Sequence, residues 1–231
     1  MKNISDEKPS YDLVGRLMAS AQFVNDKDIK DKSILDIGCG FGWCELNFLN
    51  RGVRQMTGME ITEDDLKTAR KSVRNKKIYF CVGSANKLPF LNKSFDTVVS
   101  WEVIEHIPKN TENQMFSEIS RVLKPMGVFY LSTPHSSFFS NILDPAWWLI
   151  GHRHYTQEQL VEYAKKNGFE VKDIKIKGRL WTLFSILNMY FSKWILRRTS
   201  LYKNIFTKNE HKEYMNINGF VNIFIKLEKI I

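Results

Sequence analysis

No stretch of this chain reaches the roughly 20 apolar residues that a membrane-spanning helix needs. The nearest candidate, Leu180–Leu196, is interrupted by Thr182, Ser185, Asn188 and Ser192. Cysteine is scarce too: Cys39, Cys44 and Cys81 are an odd number with neither disulfide-framework nor zinc spacing, which points to a reducing cytoplasm. Met1–Ser10 has no apolar core of a secretory signal, so no export is expected. Acids are sparse only at one end. Residues 176–231 hold ten Lys and Arg against three Asp and Glu, whereas residues 1–175 hold twenty-four against twenty-two. The net charge of +9 therefore belongs to the last quarter, which is either a contact for an anionic surface or a solvated basic face. At 231 residues, 43% hydrophobic and 26% charged, the chain can build one sizeable α/β core without requiring a second domain.

What is present is concentrated in Ile34–Trp43. Ile34, Leu35 and Ile37 form an apolar strand that runs into Gly38, Gly40 and Gly42, a turn whose bare backbone can meet a ligand. The G-x-G-x-G spacing differs from the G-x-G-x-x-G of dinucleotide sites and counts against NAD. Asp36 lies within the apolar strand, where an uncompensated carboxylate is costly, so it should face loop amides or a cationic ligand group. A second strand, 54–60, ends at Glu60, about 20 residues past the glycines, where an acid can accept from ribose hydroxyls. Further strands are expected over 77–82, 95–101, 128–133, 170–176 and 220–228. Helices are expected over 11–24, 43–51, 62–74 and 111–122. This alternation predicts a parallel sheet with helices on both faces and ligands beyond the carboxyl ends of the strands. Lys124–Gly127 reads as a plain turn before the fifth strand, and 134–155 as a long aromatic loop.

The order Leu35-Asp-Ile-Gly-Cys-Gly-Phe-Gly42, Gly58-Met-Glu-Ile61, Gly83-Ser-Ala-Asn-Lys-Leu-Pro-Phe90, Phe95–His106 and Leu123-Lys-Pro-Met-Gly127 resembles class I S-adenosylmethionine-dependent methyltransferases. Within them it is close to the group that includes quinone-biosynthesis methyltransferases. The resemblance covers about 30–175 plus a final strand. It implies an α/β, Rossmann-like, doubly wound seven-stranded sheet with an antiparallel last strand. It also implies one domain over 1–231 with substrate-side insertions at 134–155 and 179–218, and an N-terminal helix that brings Tyr11 towards the cofactor. S-adenosyl-L-methionine is the implied cofactor. Gly38, Cys39, Gly40 and Gly42 would border it, Asp36 would organise the turn or hold its ammonium, and Glu60 would accept both ribose hydroxyls. Ile61 would pack beside adenine, Ser84 and the Ala85 amide would meet its edge, and Trp101 and Glu102 would line the methionine end. Ser84 departs from the Asp usual there, which removes charge assistance. The Asn/Asp-Pro-Pro-aromatic run of nucleobase-amine enzymes is replaced by Trp101-Glu-Val-Ile104, and no Cys sits where cytosine C5 enzymes need one. Nucleic acid is therefore disfavoured as the acceptor.

Methyl transfer needs alignment, and a base only where the acceptor must lose a proton. Catalytic candidates are His135, His152, His154 and Arg153, although the histidines could equally close the helix start at Tyr155-Thr-Gln-Glu158. His106 reads as a loop-stabilising residue. No metal is expected, because no nearby Asp, Glu or Cys completes a compact ligand set. On a helix, Thr182, Ser185, Asn188 and Ser192 make a narrow polar stripe. Residues 180–198 could then lie in the inner face of a membrane with Arg197, Arg198 and the Trp147-Trp148 pair, cap the core, or form a homodimer contact. Each alternative leaves an apolar, aromatic pocket, suited to O- or C-methylation of an aromatic, lipid-like or carrier-linked small molecule. The rival readings are a catalytically silent S-adenosylmethionine-binding partner protein and an NAD-dependent oxidoreductase.

Overall fold

The computed structural model describes residues 8–216 and 218–230; Met1–Glu7 lie outside them. Seven strands form one sheet: β1 Ser33–Ile37, β2 Gln55–Glu60, β3 Ile78–Val82, β4 Phe95–Trp101, β5 Leu123–Pro134, β6 Phe169–Lys177 and β7 Asn222–Lys229. Their order is β3-β2-β1-β4-β5-β7-β6, with β7 antiparallel to both neighbours and the other pairings parallel. The seven-stranded sheet and its antiparallel last strand are as expected. The winding reverses between β1 and β4, and the crevice beyond their carboxyl ends is where ligands of such sheets bind.

Successive strand residues point to opposite faces, so Ile34 and Leu35, or Phe129 and Tyr130, feed two separate cores. One joins Leu35, Phe116, Phe129 and Leu160; the other joins Ile34, Phe48, Met56, Tyr130 and Phe224. The helices are α1 Gly15–Phe23, α2 Trp43–Asn50, α3 Glu63–Ser72, α4 Glu112–Val122, α5 Phe138–Leu143, α6 Pro145–Ile150, α7 Gln157–Lys166, α8 Leu180–Tyr190 and α9 Lys203–Met215. Local chemistry sets several of their ends. Thr62 caps α3, with acids in its first turn and Arg70 and Lys71 in its last. Thr156 and Gln159 form a capping box at the start of α7, at the expected N-cap sequence.

Two expectations are corrected, and one element is new. Lys124–Gly127 is a bulge inside β5, not a turn ahead of it. Leu123 already pairs with Phe95, the register shifts before Val128 meets Thr97, and Met126 takes φ 60°. The 134–155 segment contains α5 and α6, because Ser137 and Asp144 each cap a helical turn with a side-chain oxygen. Helix α9 had no sequence expectation, and it packs against both α1 and α8.

The α8–α9 contact rests on one buried carboxylate. Glu213 accepts the amides of Arg179, Trp181 and Thr182 and the Thr182 hydroxyl, all at 2.9 Å. It thus satisfies donors that the start of α8 would leave unpaired. Glu213→Ala should lower the unfolding free energy of the whole chain by about 2–3 kcal/mol. Urea denaturation with an unchanged midpoint would count against this role.

Candidate active site

The turn after β1 is drawn against β2 by Gly38 N donating to Met59 O at 2.8 Å. Gly38, Gly40 and Gly42 hold φ of 77°, 56° and 88°, which side-chain-bearing residues rarely adopt. A Cβ on Gly42 would press on Val73, whereas one on Gly40 would project into open space, so this backbone lies bare. Gly40 N donates to Glu60 Oε1 at 2.8 Å, and Glu60 Oε2 lies 3.4 Å from Ile61 N. The predicted acid thus sits against the predicted turn, with lone pairs to spare on both oxygens. Ile61 beside it is exposed.

Beneath the turn Asp36 is buried, and among the described residues no nitrogen or oxygen donor reaches either of its oxygens. The Cys44 thiol lies beside it as a weak donor. Burial, then the charge of Glu60, push the Asp36 carboxyl up to about 8. Glu45 on α2 is likewise buried and unpartnered, and burial followed by Asp36 drives its pKa upward. Cys39 donates its amide to Met59 O at 3.2 Å, and burial raises its thiol, so it is not a reactive thiolate. Ser84 Oγ accepts from Asn86 N at 3.3 Å, and Ala85 is buried.

At the end of β4, Trp101 stacks on Trp43 with centroids 6.4 Å apart. Glu102 takes φ 57° and becomes a junction between four elements. It accepts from Ser132 Oγ at 2.6 Å and Asn222 Nδ2 at 2.8 Å, and pairs with Arg16 Nη1 at 2.6 Å. Tyr214 on α9 donates to Asn222 Oδ1 at 2.6 Å. Burial opposes the Arg16 charge, but Glu102, Tyr214, Glu105 and Glu210 together outweigh it and raise its pKa. Arg16 was missed in the sequence, where its one signal is a cation on the mostly apolar face of α1.

The four basic candidates separate by their partners. Arg153 Nη2 donates to Ile104 O at 2.6 Å and Ile107 O at 2.7 Å, and Nη1 lies 3.6 Å from Glu112 Oε1, so it clamps the turn after β4. His154 is buried, with Nδ1 2.8 Å from Asn141 Oδ1 and Nε2 2.9 Å from Asp144 Oδ2. His135 Nδ1 lies 3.3 Å from Phe220 O, and burial lowers its pKa. His152 is the member with nitrogens to spare. Its Nε2 is 3.2 Å from His106 Nε2 and 3.8 Å from Glu105 Oε1, and its Nδ1 is 3.8 Å from Asp144 Oδ2. Burial, then His152, lower His106 to about 4. Glu105 Oε2 accepts from Thr133 Oγ1 at 2.9 Å, while burial and then Glu102 raise its pKa. The carboxylates that sequence reading found lacking around His152 are therefore supplied, Asp144 from its own segment and Glu105 from across the fold.

Residues 34–127 match the family described as a methyltransferase domain. The chain is 32% identical over 142 residues to a probable S-adenosylmethionine-dependent methyltransferase of Mycolicibacterium smegmatis, covering 62% of this chain and 53% of that protein. It is 26% identical over 163 residues to a ubiquinone biosynthesis O-methyltransferase of Pelagibacter ubique, covering 65% and 66%. An S-adenosylmethionine-dependent methyltransferase from Mesorhizobium loti shares the fold with a TM-score of 0.66 at 16% identity, covering 95% of this chain and all of that one. Residues 34–127 thus match a methyltransferase domain, and the sheet around them has the fold of solved S-adenosylmethionine-dependent methyltransferases. The chain spans between about half and two thirds of the length of those two curated relatives.

The cradle has the features that S-adenosylmethionine would need. Asp36 is a buried carboxylate awaiting a cation, Gly40 leaves room over the turn, and Glu60 presents an acid at the tip of β2. The raised pKa of Asp36 also has a consequence for stability. Between about pH 4, where the unfolded carboxyl ionises, and about 8, the unfolded chain releases a proton from Asp36 that the folded chain keeps. The contribution of Asp36 to stability therefore falls as pH rises through that window and levels off above it. Asp36→Asn, free of ligand, should gain on the native protein by a few kcal/mol between about pH 4 and 8. Urea titrations across that range would refute this if the difference stayed flat.

Proposed function

We propose that the chain transfers a methyl group from S-adenosylmethionine to an oxygen or carbon of an apolar, aromatic or lipid- or carrier-linked small molecule. When bound, the cofactor supplies a methyl carbon activated by a sulfonium. The observation that carries the reading is the Gly40–Glu60 contact above an unpaired Asp36. Glu60 would accept the ribose hydroxyls, Asp36 would take the ammonium directly or through water, and Ile61 with the Ala85 amide would border adenine. Trp101 would line the methionine end, with Glu102 holding the wall through Arg16 and Asn222. Of the four basic candidates we assign the acceptor side to His152, and give Arg153 and His154 the task of fixing its surroundings. The acceptor pocket would be built from 134–155 and 179–218. The O-methyltransferase of ubiquinone biosynthesis among the relatives supports an oxygen acceptor.

Glu60→Ala should weaken S-adenosylhomocysteine binding by about 10–100-fold, the worth of one or two hydrogen bonds to a charged group. Calorimetry showing native affinity would overturn the placement, and a thermal shift with NADH larger than with S-adenosylhomocysteine would favour the oxidoreductase. Turnover of isotopically labelled cofactor with any acceptor would remove the silent binding protein.

For the partner we propose an anionic membrane surface. Among the described residues no helix is long and apolar enough to cross a membrane, so contact would be made by lying on it. The stripe read from the sequence turns inward on α8. Thr182 is bonded to Glu213, and Asn188 donates to Leu201 O at 2.7 Å, leaving Trp181, Phe184, Phe191 and Trp194 between 41% and 55% exposed. Helices α5 and α6 pack on α8 and add exposed Phe138 and Trp148, while Arg197, Arg198 and Lys203 are exposed nearby. Apolar rings beside cations suit the headgroup region of acidic lipids. The full chain should float with vesicles of phosphatidylglycerol and phosphatidylcholine, and a Trp181→Glu/Trp194→Glu variant should not. Equal recovery of both below the vesicles would end the proposal, and loss of a dimer in the variant would assign the face to a second copy.

A further inference from the structure

Three side chains converge outside the cofactor cradle, and their arrangement goes beyond methyl transfer. We propose that Glu105 Oε1, His106 Nε2 and His152 Nε2 bind a divalent transition-metal ion, of the kind that imidazole and carboxylate hold together, such as Zn²⁺ or Co²⁺. The three ligand atoms lie within 4.8 Å of one another. The two imidazole nitrogens are 3.2 Å apart, and His152 Nε2 is 3.8 Å from Glu105 Oε1. Bonds of about 2.0–2.1 Å at tetrahedral angles place neighbouring ligands about 3.3 Å apart. The observed spacings bracket that value, so small side-chain shifts would close the set around an ion.

A second observation points to a ligand independently. The Glu105 side chain is fully buried, and among the described residues its Oε1 has no hydrogen-bond partner, while Oε2 is fixed by Thr133. An unpaired buried carboxylate oxygen is costly, and here it is aimed at a pair of imidazoles. Those two nitrogens face each other directly, so a single proton shared between them leaves at least one lone pair directed into the gap. A cation satisfies all three atoms at once.

The neighbouring Asp144, His152 and His154 also lie within ligand distance, but they read as support for the first set. Both His154 nitrogens are already engaged, by Asn141 and Asp144. Asp144 stands behind His152 Nδ1 at 3.8 Å, on the side away from Glu105 and His106. A carboxylate behind the distal nitrogen of a metal-bound histidine fixes its ring and raises its basicity. Arg153 holds the carbonyls of Ile104 and Ile107, which flank Glu105 and His106, so the turn that carries two ligands is clamped by the residue next to the third. Two imidazoles and one carboxylate leave coordination positions open for water or an acceptor oxygen. There the ion would act as a Lewis acid on that oxygen. This last role rests on the proposed methyl transfer; the binding of the ion does not.

The full chain, dialysed against chelator and then titrated with Co²⁺, should bind one ion and develop visible d–d absorption that Zn²⁺ abolishes. Glu105→Gln and His152→Gln should each lose the band and weaken binding at least about 10-fold, and Asp144→Asn should weaken it by a similar factor. His135→Gln, outside the cluster, should bind as the native chain does. Circular dichroism confirms that each variant is folded, and S-adenosylhomocysteine affinity is measured beside it. Failure of the metal site is then read apart from failure of the cofactor site. No absorption at equimolar Co²⁺, or equal binding by the Glu105 and His152 variants and the native chain, would overturn the proposal.

Discussion

The hydrogen bond from Gly40 to Glu60 joins the turn after β1 to the tip of β2, and the rest of the cradle depends on it. It forms only because β1 and β2 run in parallel register, with Asp36 beside Gly58 and Ile37 beside Met59. That register carries the acid at the end of β2 level with the bare backbone. A consequence is that acids gather where few donors exist: among the described residues Asp36 and Glu45 are buried without a nitrogen or oxygen donor to their side chains. In the free protein this arrangement is tolerable because burial, with Glu60 beside Asp36 and Asp36 beside Glu45, raises both carboxyl pKa values, which lowers their charging cost. A bound cation reverses the balance. The cradle is thus poor in internal compensation for its acids among the described residues.

The two acids after β4 are treated in opposite ways. Glu102 is fully engaged by Ser132, Asn222 and Arg16, so its charge ties α1 and β7 to the end of β4. Glu105, three residues on, meets a single hydroxyl and, among the described residues, keeps one oxygen without a hydrogen-bond partner. One works as architecture and leaves little for a ligand, while the other retains its capacity. Neighbouring charges of the same sign reinforce the division, since Glu102 is part of what raises the Glu105 pKa.

Much of the sheet was legible because its signals are local. Apolar strands such as Ile34–Ile37, glycine at positions of positive φ, and an acid at a strand end all leave marks within a few residues. What stayed hidden depends on distant partners. Helix α9 has little apolar periodicity of its own, and its purpose emerges only when Glu213 meets the start of α8, more than thirty residues earlier. Likewise His152, His154 and Arg153 look equivalent in the sequence, yet their roles part according to whether Asp144, Ile104 or Glu105 stands opposite. The bulge at Lys124–Gly127 was misread because a Pro-x-Gly run marks a break in backbone direction without saying whether pairing resumes on the near or the far side.

Helix α8 shows how polarity can be inverted for a reason. A helix on a soluble body ordinarily turns its rings inward and its hydroxyls to water. Here the polar side faces the protein because there it completes bonds that burial would otherwise leave open: Thr182 with Glu213, and Asn188 with the Leu201 carbonyl. The rings are then displaced outward by geometry, since a stripe cannot occupy both sides of one helix. Rings half in water give up part of their transfer free energy, roughly 25 cal/mol for every Å² left uncovered. Over Trp181, Phe184, Phe191 and Trp194, with Phe138 and Trp148 beside them, that deficit is recovered only when another apolar phase covers the face. The same helix therefore links the inner bonds that hold α9 with an outer face of half-exposed rings.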